Sequence, residues 1–434
     1  MQTKAKEKIN IVTLGCAKNL VDSEVLMTQL KGNKKDVFHQ REDINPDIVI
    51  INTCGFIDKA KQESIDTILK HAKEKEDGII KKLYVTGCLS ERYKDDLKTD
   101  IPEVDGFYGT RDLPELLKNF EAKYRNELLG DRIITTDSHY AYLKISEGCD
   151  RPCSFCAIPL MRGRHISKPI DQIILEAKNL VRNGVREIML IAQDSTYYGI
   201  DIYKKRAMSE LLKKLSDIEG LDWIRIHYAY PAGFPMDIIE VMRERDNICN
   251  YLDIPLQHGS TNMLKVMKRG ITREKTDELI KNIRDINPEI ALRTTLIAGH
   301  PGETERDFQE MYDFVERSQF DRLGIFTYSH EEGTSAHKLE DDVPEQVKRS
   351  RSNKIMALQQ KISTQKNKNK VGKTVKVLID RVDANNYYGR TEQDSPEVDN
   401  EVIIPSKEMH LRVGDFYDVK ITESKEYDLI GKVD

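Results

Sequence analysis

Two things are missing from these 434 residues. No apolar run approaches the ~18 residues of a membrane span. The amino terminus, MQTKAKEKIN, has no apolar stretch of the secretory kind. Both absences point to a soluble cytoplasmic protein with no membrane partner. Cysteine is scarce and odd in number, seven in all, which argues against a disulfide framework. In a reducing compartment, grouped cysteines are metal ligands or catalysts. The length suggests about three domains at ~150 residues each, and 39% hydrophobic content suffices for sizeable cores.

Six of the seven cysteines fall into two patterns. INIVTLGC (9–16), DIVIINTCGF (47–56) and KKLYVTGCLS (81–90) are short β-branched runs, with helical apolar spacing between them. Such βαβ units build a parallel, doubly wound sheet whose strands all end along one edge. Cys16, Cys54 and Cys88 each follow a strand end, where sheets of this class place their ligands. Three small buried residues would give the same pattern; a three-thiolate metal site is the sharper reading. GCDRPCSFCAIP (148–159) holds the other three, Cys149, Cys153 and Cys156, at C-x3-C-x2-C.

That loop follows the first of six strand candidates: 141–146, 187–193, 223–228, 252–257, 291–299 and 322–328. With helical stretches between most of them, they predict a partial (β/α)6 barrel whose functional face lies at the strand C-termini. Cys149, Gln193, Asp194, Tyr228, Tyr230, Gln257, His258, Gly299, Tyr328 and His330 gather at those ends. Three thiolates can hold three corners of a [4Fe–4S] cubane and leave one iron open for a small molecule. The alternative is zinc, with His165 completing a Cys3His set.

C-x3-C-x2-C at this position, with Phe155 before the last cysteine, resembles the radical S-adenosylmethionine (SAM) superfamily. LGCAKNLVDSE, NTCGF and TGCLSER, with CSFCAIPLMRGRH, AQDSTYYG, LDIPLQHGS and RTTLIAGHPGETERDF, resemble its methylthiotransferase family nearly end to end. The resemblance implies two [4Fe–4S] clusters. One, at Cys149, Cys153 and Cys156, binds and cleaves SAM. The other, at Cys16, Cys54 and Cys88, carries the sulfur to be inserted. It makes Phe155, Gln193, Gln257 and Arg293 candidate SAM contacts, with Arg293 as a carboxylate partner. Gly299 is expected to let backbone approach the cofactor. His300 stands where the family more often has a large apolar residue. No catalytic acid or base is implied, because the chemistry is radical and cluster-based. Cys249 belongs to neither set and reads as a core residue.

The same resemblance divides the chain into 1–130 (auxiliary-cluster domain), 138–342 (radical SAM barrel), 343–370 (linker helix) and 371–434. The last reads as a small five-stranded barrel like the TRAM domain, OB-like in shape. The linker carries eight Lys/Arg against one Glu, suited to a solvated helix or a ribosome contact. Residues 371–434 hold nine Lys/Arg and fourteen Asp/Glu, an acidic surface poor for RNA and suited to a basic protein. Asp394, Glu397, Asp399 and Glu401 are expected to present that negative patch. Charge and the YYGRTEQDSPEVDNE, LQHGS and MRGR motifs favour the branch that methylthiolates an aspartyl β-carbon of small-subunit ribosomal protein S-twelve. The alternatives are methylthiolation of a tRNA adenosine and a non-enzymatic iron–sulfur carrier. The resemblance further implies a reducing donor of flavodoxin or ferredoxin type and a sulfur donor.

Overall fold

The computed structural model describes residues 7–406 and 410–433. Its first sheet is parallel, in the order β2-β1-β3-β4-β5: β1 Lys8–Thr13, β2 Asp36–His39, β3 Ile48–Thr53, β4 Lys82–Gly87 and β5 Gly106–Phe107. Helices α1 (Ala17–Gly32), α2 (Asp58–Glu76) and α3 (Cys88–Asp100) connect the strands. Every residue of β3 is buried, because apolar cores cover both faces of the sheet. The short strands β2 and β5 extend the expected sheet on either side.

Next come β6 (Tyr140–Lys144) and a small hairpin of β7 (Ser146–Glu147) with β8 (Ile166–Ser167). Then follow β9 (Glu187–Ile191), β10 (Trp223–Ile226), β11 (Ile248–Asp253), β12 (Ala291–Ala298) and β13 (Arg322–Thr327). Six of these form one parallel sheet, β13-β12-β11-β10-β9-β6, with two open edges. The strand expected at 252–257 begins four residues earlier. Its far end thins to one bridge, Gln257 to Leu296, because Pro255 has no N–H and Gln257 adopts φ +75°. Cys249 lies on β11 and is buried, as expected of a core residue.

Alternation along the strands sorts two faces. Ala141, Leu143, Ile188 and Leu190 join the outer core with the surrounding helices. Tyr140, Tyr142, Met189 and Ile191 face inward, where they pack on Val21, Leu20 and Val25 of α1. A helix of the first domain therefore fills part of the barrel's interior. Buried ion pairs from Glu331 to Arg92 (2.7 Å) and Lys61 (2.9 Å) fasten the same domain to the loop after β13.

The last 60 or so residues form a closed barrel of β14 (Thr374–Val382), β15 (Asn386–Arg390), β16 (Val402–Pro405), β17 (Phe416–Ser424) and β18 (Leu429–Val433). Leu378 and Phe416 pack on Trp223, Cys249, Tyr251 and Ala291, so this small barrel seals the floor of the large one. The expected acidic patch is a correction: much of it is interior. Arg322 Nε donates to Asp394 (3.0 Å), Tyr251 to Asp399 (2.7 Å), and Tyr140 and Tyr142 to Glu397. Glu187 accepts from Arg225 and forms an ion pair with Arg390, both at 2.8 Å, and Arg390 also grips Asp380. Of the four carboxylates, Asp394 and Asp399 are interior, Glu397 belongs to an exposed residue, and Glu401 pairs near the surface with Arg381. The linker helix, Glu345–Lys368, packs Ile355, Leu358 and Ile362 against the barrel, and Lys348, Arg349, Arg351 and Lys366 are each paired with an acid. Among the described residues no helix is long and apolar enough to cross a membrane.

Burial alone would raise the Asp394 carboxyl, but Arg322 and Lys370 outweigh it and hold the group below its ordinary value. The stability it contributes is therefore present above the unfolded pKa of ~3.9 and is lost as pH falls through the lower folded value. Asp394→Ala leaves Arg322 buried without its acid and should cost about 3–5 kcal/mol in denaturant unfolding at neutral pH. Glu401→Gln should stay within about 0.5 kcal/mol. Equal effects of the two changes would refute the buried placement.

Candidate functional site

Each cysteine of the first set sits where a strand hands over to a helix or loop. Cys16 caps α1 and Cys88 opens α3, so both lie at the positive end of a helix dipole. Cys54 follows β3, its peptide clamped by Ser64, whose hydroxyl accepts from the Cys54 N–H (3.0 Å) and donates to its carbonyl (2.9 Å). Gly15 adopts φ +90°, and a Cβ there would lie 2.8 Å from Cys54 Sγ, so only glycine lets the two loops approach. Asn19 ties them together by donating to the Leu14 (2.8 Å) and Thr53 (3.0 Å) carbonyls.

The three thiols share one electrostatic neighbourhood. Burial pushes Cys88 up to about 12, opposed by Arg162 and reinforced by Cys16 and Cys54. Burial also raises Cys54, and Cys16 adds to it. Cys54 and Cys88 are buried while Cys16 is exposed; the two buried thiols become thiolates only when a strong cation offsets the cost, which a metal centre does. One protein cation already faces them. Arg162, from the short helix Ile158–Arg162 of the barrel domain, donates to Cys88 Sγ (3.3 Å) and to Asn19 Oδ1.

Arg162 also belongs to a partly buried quartet with Asp22 (2.6 Å), Glu147 (3.2 Å) and Lys144, which bridges the same two acids. Burial would raise the Glu147 carboxyl, but Lys144 and Arg162 hold it at about 2. Its other oxygen accepts from Gln193 Nε2 (2.9 Å), and Gln193 Oε1 is buried without a partner among the described residues. Glu147 lies two residues before Cys149, so one ionic network spans the distance between the cysteine sets.

The C-x3-C-x2-C loop is held from several elements. The Cys149 N–H donates to the Gly163 carbonyl (3.0 Å) and the Ser154 N–H to that of Met267 (3.0 Å). His300 Nε2 faces Ser154 Oγ at 3.3 Å, and its ring meets Phe155 and Tyr328. The histidine thus braces the loop with a hydrogen bond that an apolar residue could not make. Arg269, from the turn before Arg273–Ile286, donates to Cys153 Sγ (3.2 Å). Its guanidinium lies over the Tyr230 ring at 4.4 Å, and that of Arg151 does so at 4.1 Å. Burial raises Cys149 to about 11 and Cys156 to about 12, with Cys153 adding to both.

The other expected contacts fare unevenly. Gln257 lies at the β11 end, its backbone bridging β12. Gly299 (φ +77°) makes room for Lys348, whose Cγ would be 2.2 Å from an added Cβ, so the linker helix accounts for that glycine. Arg293 is a correction: it pairs with Asp253 (3.0 Å) and Asp399 (3.3 Å), and six residues of strand, about 20 Å, separate it from Gly299. Its guanidinium is committed to the sealed floor and not to a ligand's carboxylate. His165, the zinc candidate, places Nε2 2.9 Å from Ser167 Oγ and its ring edge-on to Tyr197. Among the described residues no His, Cys, Asp or Glu group could hold a single metal ion. A cubane spreads its thiolates over separate irons, so two all-sulfur sets of three suit it better than one zinc. Arg162 and Arg269 were missed in the sequence, although both stand in or beside quoted motifs.

Three family models match separate stretches of the chain. A model described as the Radical SAM superfamily matches residues 143–315, one described as Uncharacterized protein family UPF0004 matches 8–109, and a TRAM domain model matches 371–433. The chain is 59% identical over 428 residues to the ribosomal protein uS12 methylthiotransferase RimO of Cytophaga hutchinsonii, covering 99% of this chain and 98% of that one. It is 57% identical to the RimO of Flavobacterium psychrophilum, covering 100% of each. Among solved structures, the radical SAM methyltransferase TsrM from Kitasatospora setae aligns over 74% of this chain and 75% of its own, at 14% identity and a TM-score of 0.54, a likeness of fold. With well over half its residues identical along its whole length, the chain belongs to the RimO family of radical SAM methylthiotransferases.

Proposed function

We propose that this chain replaces a β C–H hydrogen of an aspartyl residue in ribosomal protein uS12 with a methylthio group. It would use a [4Fe–4S] cluster and SAM at Cys149, Cys153 and Cys156, and a second cluster at Cys16, Cys54 and Cys88. The single observation that carries this reading is the pair of three-cysteine sets joined through one partly buried ionic network. Full-length identity to uS12 methylthiotransferases supports the protein substrate over tRNA. Bound at the barrel loop, the cluster with SAM supplies a carbon radical able to take hydrogen from an unactivated C–H.

The protein's own residues hold and insulate. Arg162 directs its guanidinium at Cys88 of the first set and Arg269 at Cys153 of the second, where a hydrogen bond and a positive charge favour the more negative, reduced state of a bound centre. Arg151 and Tyr230 cover the Cys153 side from water. Gln193, oriented by Glu147, keeps a buried acceptor available near Cys149. A reductant of flavodoxin or ferredoxin type and a sulfur donor complete the reaction.

Anaerobic reconstitution should load about eight irons, and the Cys149/Cys153/Cys156→Ala variant about four, with SAM cleavage abolished. Zinc uptake in place of iron, or full SAM cleavage by that variant, would contradict the reading. The Cys16/Cys54/Cys88→Ala variant should still form 5′-deoxyadenosine and lose all methylthio transfer; transfer that persisted would remove the sulfur role from the first domain. In protein carrying only the N-terminal centre, Arg162→Gln should lower its midpoint potential in an EPR-monitored redox titration, and Arg162→Lys should lower it less. An unchanged potential would reduce Arg162 to a purely structural contact.

A further inference from the structure

The first turn of α1 carries a charge that nothing answers. Lys18 lies two residues after Cys16 and is only 8% exposed. Among the described residues its ammonium makes no ion pair or hydrogen bond; its one partner is the Tyr228 ring, 3.2 Å from Nζ to centroid. A lysine this deep is ordinarily paired with an acid. The acids of this barrel mouth are already engaged, Asp22 and Glu147 by Arg162 and Lys144 and Asp194 by Arg151, and Asp253, toward the floor, is engaged by Arg293.

The partner ring is itself held at a cost. Tyr228 lies two residues past β10, with φ +61°, a left-handed conformation that disfavours a bulky side chain by roughly 1–2 kcal/mol. The Asp253 carboxylate keeps it there, accepting from the Tyr228 N–H at 3.1 Å. Strained backbone, an aromatic shelf and an unanswered cation converge at the first turn of the helix that Cys16 caps. A cation–π contact offsets part of the desolvation of the ammonium and leaves its donors free for an anion.

We propose that Lys18 binds the carboxylate of the aspartyl side chain that is to be modified. The inference rests on the uS12 reading above and deepens it. The reacting β-carbon is bonded directly to that carboxylate, so fixing the carboxylate fixes the carbon to be attacked, the positioning that such a reaction needs. An adenine base carries no anion bonded to its reacting carbon, so the same contact favours an aspartyl side chain over a tRNA base. The carboxylate of SAM has the same chemistry and is the rival source.

The test measures binding of fluorescent uS12 loop peptides, with the target Asp or with Asn in its place, to the reconstituted holoenzyme. The unmodified enzyme should prefer the Asp peptide by about tenfold or more, the scale of a charge-assisted hydrogen bond. Lys18→Met and Lys18→Gln should bind both peptides equally, and Lys18→Arg should keep most of the preference. Lys18→Met should melt no lower than the unmodified protein, because no partner acid is left behind. An Asp/Asn ratio that survives in both neutral variants overturns the proposal. So does a loss confined to SAM affinity, measured by equilibrium dialysis, which would assign the cation to the cofactor. If the unmodified enzyme neither binds nor modifies the Asp peptide or uS12 itself, the substrate reading falls and this proposal with it. Modification of uS12 with an unaltered ratio in the variants sinks this proposal alone.

Discussion

Six parallel strands curl without closing, and most of the architecture answers that constraint. An open barrel has two unpaired edges and an interior reachable from the side and from below. Here α1 of the first domain enters from the side and packs on Tyr140, Tyr142, Met189 and Ile191. A loop of the small C-terminal barrel enters from below, where Asp394, Asp399 and the Glu392 carbonyl meet Arg322, Arg293 and Arg225. What is left open is the mouth, where the strand C-termini present the cysteine loop. The terminal domains thus do more than bring their own functions; they complete a lumen that the central domain cannot complete alone.

Placing α1 in that lumen also brings the first cysteine set to the mouth. Its cap residue is Cys16, its first turn carries Lys18 and Asn19, and its next holds Asp22, which meets Arg162 from the barrel. Packing and chemistry are therefore coupled: moving the helix would move a sulfur, a cation and the bridge between the two sites together. The pair of arginines on Cys88 and Cys153 gives each sulfur set the same kind of neighbour, although they arise from different elements.

How much of this was legible in the residues depended on whether the signal was local. Cysteines that follow β-branched runs are local, as is C-x3-C-x2-C, and alternating strands and helices fix the sheet directions. The register of Arg293 is not local: its neighbours are set by barrel stagger and by a loop about a hundred residues away, which turned a supposed ligand contact into a floor ion pair. A count of fourteen acids in the last domain could not tell a solvated carboxylate from Asp394, buried on Arg322. The charge count of the linker helix hid the same distinction, since several of its cations meet acids on other elements. Lys18 was invisible for the opposite reason: its meaning lies in a missing partner, which only three dimensions can reveal.

The central claim is that two sulfur-bearing sites, joined across a domain boundary, act on an aspartyl side chain of a protein. The most direct measurement offers uS12 and bulk tRNA together to the reconstituted, reduced enzyme with SAM, then compares both by mass spectrometry. The account predicts one methylthio group in place of one hydrogen on a single uS12 aspartate, with tRNA unchanged. Methylthio groups on tRNA adenosine, with uS12 left unmodified, would contradict it.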